Sequence, residues 1–227
     1  MHSTQNMQTM HDTQTSGSIR ASGLALVIGA LLFAVSFAYH PAGETAESYL
    51  HPGWIPAHLI ELPSMVLILF GLIGAHARQM DRAGRLGLAG FVLAVTGTVL
   101  LNGVVTVAAT ALPILAAQAP AAVVPGGALY SEATETVLTL SIGTFVVGYV
   151  LFAIATFRAG VLPRWAAPPL AIGALLLGGS EGELPWAAVI AGALAFSAGA
   201  AWVGYALWAV RRERPAMQPS LTPQPAH

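Results

Sequence analysis

The chain contains no cysteine and no lysine, and only 8% of its 227 residues are charged. Without cysteine there are no disulfides, no thiolate metal sites and no cysteine nucleophile. Without lysine, all side-chain positive charge apart from histidine rests on nine arginines. No basic amphipathic stripe suits a nucleic acid. With 56% hydrophobic positions, the polar surface needed to clothe a soluble globule of this size is missing. Catalytic signatures are missing too. There is no G-x-S-x-G elbow, no phosphate-cradling G-x-x-x-x-G-K-[ST] and no G-x-G-x-x-G after a strand. Gly178-Gly179-Ser180-Glu181-Gly182 is glycine-rich but acidic, the wrong sign for phosphate. The reading leans away from an enzyme.

What is present is a set of charge-free apolar runs, at 21–43, 62–77, 86–131, 136–157, 165–180 and 184–210. A hydrocarbon core of about 30 Å takes about 20 apolar helical residues to cross. Four runs meet that length, 62–77 does so when extended back to Ile55, and 165–180 is marginal. The expectation is an all-α, polytopic transmembrane bundle of six helices: 21–39, 55–77, 86–113, 135–157, 165–179 and 185–210. A disordered tail (1–19) precedes the membrane domain (20–210), and a second tail (211–227) follows it. Arg20, Arg78, Arg82, Arg85, Arg158, Arg164, Arg211, Arg212 and Arg214 fall in the tails and two loops. The other loops carry Glu44, Glu47, Glu132, Glu135, Glu181 and Glu183 and no arginine. Basic short loops stay cytoplasmic, so both termini are expected in the cytoplasm and the acidic loops outside.

Several features refine this layout. Ser36-Phe37-Ala38 has the small-x-small form of a signal-peptidase site, but the long preceding segment fits a retained anchor better. Met1, His2, Met7, Met10, His11 and Asp12 include soft-metal ligand types, although the segment reads foremost as a polar tail. Pro63 should kink the second helix, and Pro120, Pro125, Gly126 and Gly127 should make 114–130 an outer loop folded over the bundle or lying on the interface. Ala21, Ala25 and Gly29, then Thr144 and Gly148, then Ala193, Ser197 and Ala201 repeat small residues at four-residue spacing, as close helix packing requires. Trp54, Trp165, Trp186 and Trp208 sit at helix boundaries, whereas Trp202 is expected inside. Pro52–Leu59 and Pro163–Leu170 echo one another faintly, as an inverted three-plus-three repeat would.

Three of the seven histidines, His40, His51 and His58, lie within 19 positions at the expected outer face, with Glu61 beside them. His58 and Glu61 are three apart and share a helix side, continued inward by Ser64 and Met65. An ionisable group at the centre of a span costs about 2.5–3.5 kcal/mol on insertion scales, so it faces the interior and seeks a partner. His58, Glu61 and Asn102 therefore form the candidate intramembrane polar site. Four uses compete. A divalent metal can take His40, His51, His58 and Glu61 as ligands. Haem b can take two imidazoles, His40 and His58. A proton-linked carrier can titrate Glu61. In a purely structural arrangement, His58 and Glu61 hydrogen-bond each other or Asn102. His76 lies 18 residues beyond His58, ~27 Å along the helix, too far to share an ion. Thr98, Asn102, Thr106 and Thr110 form a polar ladder that fits packing better than a path, since it carries no charge.

Two stretches carry a resemblance: His51-Pro-Gly-Trp-Ile-Pro-Ala-His-Leu-Ile-Glu61 with Gly71-Leu-Ile-Gly74, and Gly148 through Phe157-Arg158-Ala-Gly-Val-Leu-Pro-Arg-Trp165. The first resembles the W-x-x-x-H start of the second helix in small bacterial six-helix membrane proteins of unassigned function. The second resembles their Arg-x-Gly-x-x-Pro-Arg-Trp cytoplasmic hairpin. The likeness implies the six-helix layout and a bacterial cytoplasmic membrane, and it brings no catalytic residue. The functional expectation is a multi-pass membrane protein serving small-solute or proton-linked transport or a structural role, or else a haem- or metal-binding electron-transfer protein. Its partners are the bilayer, with a second copy of the chain and a small-molecule or ion ligand left open.

Overall fold

A computed structural model describes residues 2–179 and 184–209, and among them every regular element is helical. The segments are α1 (His2–Tyr39), α2 (Ala46–Tyr49), α3 (Trp54–Gln118), α4 (Glu132–Ala159), α5 (Ala167–Leu177) and α6 (Trp186–Trp208), with 3-10 turns at Pro120–Ala122 and Arg164–Ala166. The 65-residue α3 is two helices in one, because Gly84 adopts φ 59°, ψ −155° and folds the chain back. We call its arms α3a (54–83) and α3b (85–118). With α1, α4, α5 and α6 they make the six-helix, all-α bundle expected.

α1, α3, α4 and α6 are long and apolar enough to cross a membrane. Large apolar residues stand exposed along them, for instance Leu24, Ile28, Leu31 and Val35 on α1 and Val92 and Val99 on α3b. α5 has 11 residues, ~16 Å of helix, about half a hydrocarbon core. Pro168-Pro169 opens it and Gly178-Gly179 follows it, which holds the expected 165–179 helix to 167–177.

Neighbours in sequence are neighbours in space. α1 packs on α3, α3 on α4, α4 on α5, α5 on α6, and α6 closes the ring against α1. Glycine sets the closest approaches. A Cβ on Gly97 would land on the backbone of Phe145, and one on Gly148 on that of Ala94, so α3b and α4 meet backbone to backbone. This accounts for Gly148 but not for the whole four-residue pattern. Ala21 is exposed and Ala25 partly so, while Gly23, Leu26 and Gly29 face inward. Each four-residue step overshoots the helical turn, so a long i, i+4 series leaves the buried face. The threonine ladder drifts off in the same way. Thr98 is buried, donating to Ala94 O at 2.7 Å and accepting from the Tyr149 hydroxyl at 3.1 Å. Thr106 and Thr110 are exposed and satisfy their hydroxyls on Asn102 O and Thr106 O.

Other boundaries moved for local reasons. α3a runs past Ala77 to 83, burying Gln79 and Ala83. α3b runs through Pro113 to Gln118, which a helix in a bundle tolerates. α4 starts at Glu132, capped by Ser131, whose side chain accepts from Thr134 N, and ends on left-handed Gly160. The 119–131 loop folds over the end of the bundle that bears the acidic loops, named the outer end after the charge pattern, burying Val123 against a cluster that contains Tyr49, Trp54 and Leu112. α1 is helical back to His2, inside the segment read as a disordered tail, since no proline or glycine interrupts 2–16. The side chains of the Met/His-rich stretch, residues 180–183 and residues 210–227, with the expected end of the last helix and the second tail, lie outside the described residues. Trp202 faces outward rather than inward. The two echoed helix starts are not equivalent, for Trp54 is wholly buried and Trp165 is 68% exposed.

Candidate functional site

Three helix ends meet at the outer end of the bundle. α1 stops at Tyr39 because Pro41 cannot continue it, and the backbone N of His40 still donates to Ser36 O, which holds His40 at the end of the last turn. α3a starts at Trp54 after a tight turn in which Gly53 N donates to His51 Nδ1. Pro56 falls in the first turn, where a helix needs no N–H donor. α6 starts at Trp186, behind Pro185.

The rings from these ends pack into one aromatic group. His40 lies 4.9 Å from His58, 4.9 Å from Trp54 and 5.1 Å from Trp186, centroid to centroid. Trp54 stands 4.3 Å from His58 and 4.8 Å from Tyr49, and Phe37 stacks on His40 at 6.0 Å. Trp54 is the floor. It is fully buried, and its Nε1 donates to Ala108 O at 2.8 Å, tying α3a to α3b.

Hydrogen bonding fixes the imidazole tautomers. His40 Nδ1 lies 2.7 Å from Pro41 O, and His58 Nδ1 lies 2.8 Å from Trp54 O. Carbonyl oxygens only accept, so each neutral ring carries its proton on Nδ1 and presents a bare lone pair at Nε2. Burial holds His40 well below the ordinary histidine value, at about 4; its bond to Pro41 opposes the shift and the nearby His58 adds to it. One turn deeper, Glu61 is 7% exposed and has no hydrogen-bond partner among the described residues. Below it, Ser64 Oγ is buried and unpartnered among the described residues.

The expected site residues separate into groups. His40 and His58 come together, with Glu61 on the same helix side. His51 is exposed and bonded within its own turn. The structural pairing fails, because His58 bonds its own backbone and Asn102 Oδ1 has no partner among the described residues. A histidine four residues after a helix's first residue reaches that residue's carbonyl more readily than a carboxyl on its own helix. The metal set is not assembled either: among the described residues no three His, Asp or Glu side chains are placed to hold an ion. Two axial imidazoles on one iron stand apart by two metal–nitrogen bonds of about 2 Å each, with the macrocycle between them. The His40 and His58 rings instead pack on each other.

Two features, one at each end of the bundle, were not foreseen as such. Trp54 and Trp186 read as boundary anchors but form its walls, and the W-x-x-x-H spacing, which stacks Trp on His in a helix, was the available signal. At the inner end, Gln79 is 1% exposed and its Nε2 donates to Thr156 Oγ1 at 2.9 Å, joining α3a to α4. It escaped notice because it sits among charges in a stretch read as a loop. No family model, curated protein or solved structure matches this chain.

Proposed function

We propose that the chain is a multi-pass integral protein of the bacterial cytoplasmic membrane, both tails cytoplasmic, with a proton-linked binding site at its outer end formed by Glu61 and the His40–His58 pair. The observation that carries this reading is a carboxyl inside an apolar, membrane-length helix, buried and without a hydrogen-bond partner among the described residues, one turn from His58, whose ring packs on that of His40. An intramembrane acid is costly to retain and typically serves ion or proton movement. Glu61 gains or loses its proton, and the two Nε2 lone pairs offer the neighbouring acceptor positions.

The orientation follows from the arginines at one end and the acidic loops at the other. Reporter fusions after Arg82, Arg158 and Arg214 should report cytoplasm, and those after Glu47, Glu132 and Glu181 the exterior. Export of the Arg82 fusion would invert the topology. The site itself is tested with a hydrophobic carbodiimide, which modifies protonated carboxyls in apolar surroundings. Peptide mass spectrometry should find the adduct on Glu61, increasing as pH falls and absent from Glu61→Gln. An unmodified Glu61 at every pH would contradict the reading.

A further inference from the structure

The six arginines among the described residues all stand at the inner end. Arg20 is engaged, donating to Trp208 O. The other five, Arg78, Arg82, Arg85, Arg158 and Arg164, are exposed and make no hydrogen bond or ion pair among the described residues. Four of them sit in two turns that lean on each other. Arg82 and Arg85 flank the Gly84 reversal, and Arg158 and Arg164 bracket the turn from α4 to α5. Ala83 of the reversal packs on Ala155 and Ala159 at the end of α4, with Leu86 and Val161 against them. Asp81 is the one acidic side chain in either turn.

The α4–α5 turn is shaped as well as charged. Gly160 ends α4 in the left-handed conformation, and the Arg164 guanidinium lies over it, its Nη2 3.0 Å from where a Cβ would stand. Phe157 meets Trp165 edge-on at 5.8 Å, and the two rings are 39% and 68% exposed. Deeper along α4, Ile154 and Val147 are exposed and continue the side that carries Phe157 and Arg158. The span thus ends in three successive layers, aliphatic, aromatic and cationic. Membrane orientation needs only the arginines. It gives no reason for two rings to be held together in the open beside them.

We propose that the α4–α5 turn, with the Gly84 reversal beside it, binds an anionic phospholipid of the leaflet at the inner end. Arg158 and Arg164 donate to the headgroup phosphate, and Arg82 and Arg85 add positive charge around it. Phe157 and Trp165 lie at the glycerol level, and an acyl chain follows Ile154 and Val147. A guanidinium offers a phosphate two parallel N–H donors. Basic side chains at a membrane surface favour anionic lipids, and a choline headgroup brings a cation of its own that the arginines repel. This site lies at the opposite end from Glu61 and does not depend on it.

The test uses the purified full-length chain in detergent, with phosphatidylglycerol, phosphatidylcholine and sodium phosphate as probes. Native mass spectrometry should show phosphatidylglycerol bound about tenfold or more tighter than phosphatidylcholine. The double change Arg158→Gln with Arg164→Gln should remove that preference. Arg20→Gln, which takes a charge from the same end but outside the two turns, should keep it. If the double variant does not fold, Arg164→Lys keeps the charge, loses the planar fork and should still weaken phosphatidylglycerol binding. Brominated phosphatidylglycerol should quench the parent's tryptophan fluorescence more than that of Trp165→Phe, and brominated phosphatidylcholine should quench both alike. The proposal is overturned by equal binding of the two lipids, by an unchanged preference in the arginine variants, or by quenching that ignores Trp165. An equal loss in Arg20→Gln would reduce the effect to net charge and overturn the site. Displacement of the lipid by sodium phosphate would make it a site for free phosphate and overturn the lipid assignment.

Discussion

The two ends of the bundle both bury polar groups, and they do so to opposite effect. At the inner end, Gln79 reaches across to Thr156, His76 stacks on Phe91 at 4.2 Å, and the charges of Arg78, Asp81, Arg82 and Arg85 point out to solvent. At the outer end, the histidines satisfy themselves on their own backbone and leave their remaining nitrogens, with Glu61, unspent. Ser64 and Gln79 stand 15 positions apart, ~22 Å of helix, and the buried positions between them are mostly apolar: Met65, Ile68, Leu72 and Ala75. A small apolar void at the centre, lined in part by Ile68, Leu72, Tyr149 and Phe152, marks this dividing layer. The inner polar contact joins two helices, though Gln79 Oε1 and His76 Nδ1 lack partners among the described residues; the outer groups are those proposed as a site.

The strongest way to break this comparison is at Trp54. Trp54→Ala removes a fully buried indole and the donor to Ala108 O. It should cost about 3–5 kcal/mol, read as a fall in melting temperature in detergent. Survival at parental stability would mean the aromatic group does not hold the outer end together.

Acid comes next. The folded protein keeps His40 neutral to about pH 4, whereas the unfolded chain takes up that proton below its ordinary value of 6.5. The unfolded state therefore binds more protons in this window, and stability should fall as pH drops from 6.5 to about 4, then level off. The loss should be on the order of 3 kcal/mol at most. A melting series against pH checks it, with His40→Gln expected to flatten this part of the profile.

Two inner changes should act on stability alone. Gly84→Ala meets no atom, yet forces alanine to a backbone conformation essentially confined to glycine, at about 1–3 kcal/mol. Gln79→Ala should also cost about 1–3 kcal/mol, and Gln79→Leu less, since leucine fills the space and removes the amide oxygen that lacks a partner among the described residues. Both Gln79 variants should label at Glu61 like the parent. Altered labelling would show that the ends are coupled. Smallest in stability is Glu61→Gln, expected within about 0.5 kcal/mol, though it should remove the carbodiimide adduct.

Helix number, class and apolar surface were legible in the sequence because a membrane helix announces itself by length and hydrophobicity alone. The Gly84 reversal was legible only as a charged gap, since one glycine does the work of a loop there. Of the site, His40, His58 and Glu61 could be named from position. Their arrangement could not, because it depends on three helix ends meeting and on which carbonyl each Nδ1 finds. The aromatic walls were hidden by ambiguity: a tryptophan at a helix boundary serves equally as a lipid anchor or as a buried floor, and only packing separates Trp54 from Trp165.

The central claim, that Glu61 is a working acid at the outer end, is tested most directly by infrared difference spectroscopy of the purified protein between two pH values. The account predicts a carboxylic-acid carbonyl band, shifted in heavy water, that is present in the parent and in Gln79→Leu and missing from Glu61→Gln. Identical difference spectra from the parent and Glu61→Gln would contradict it.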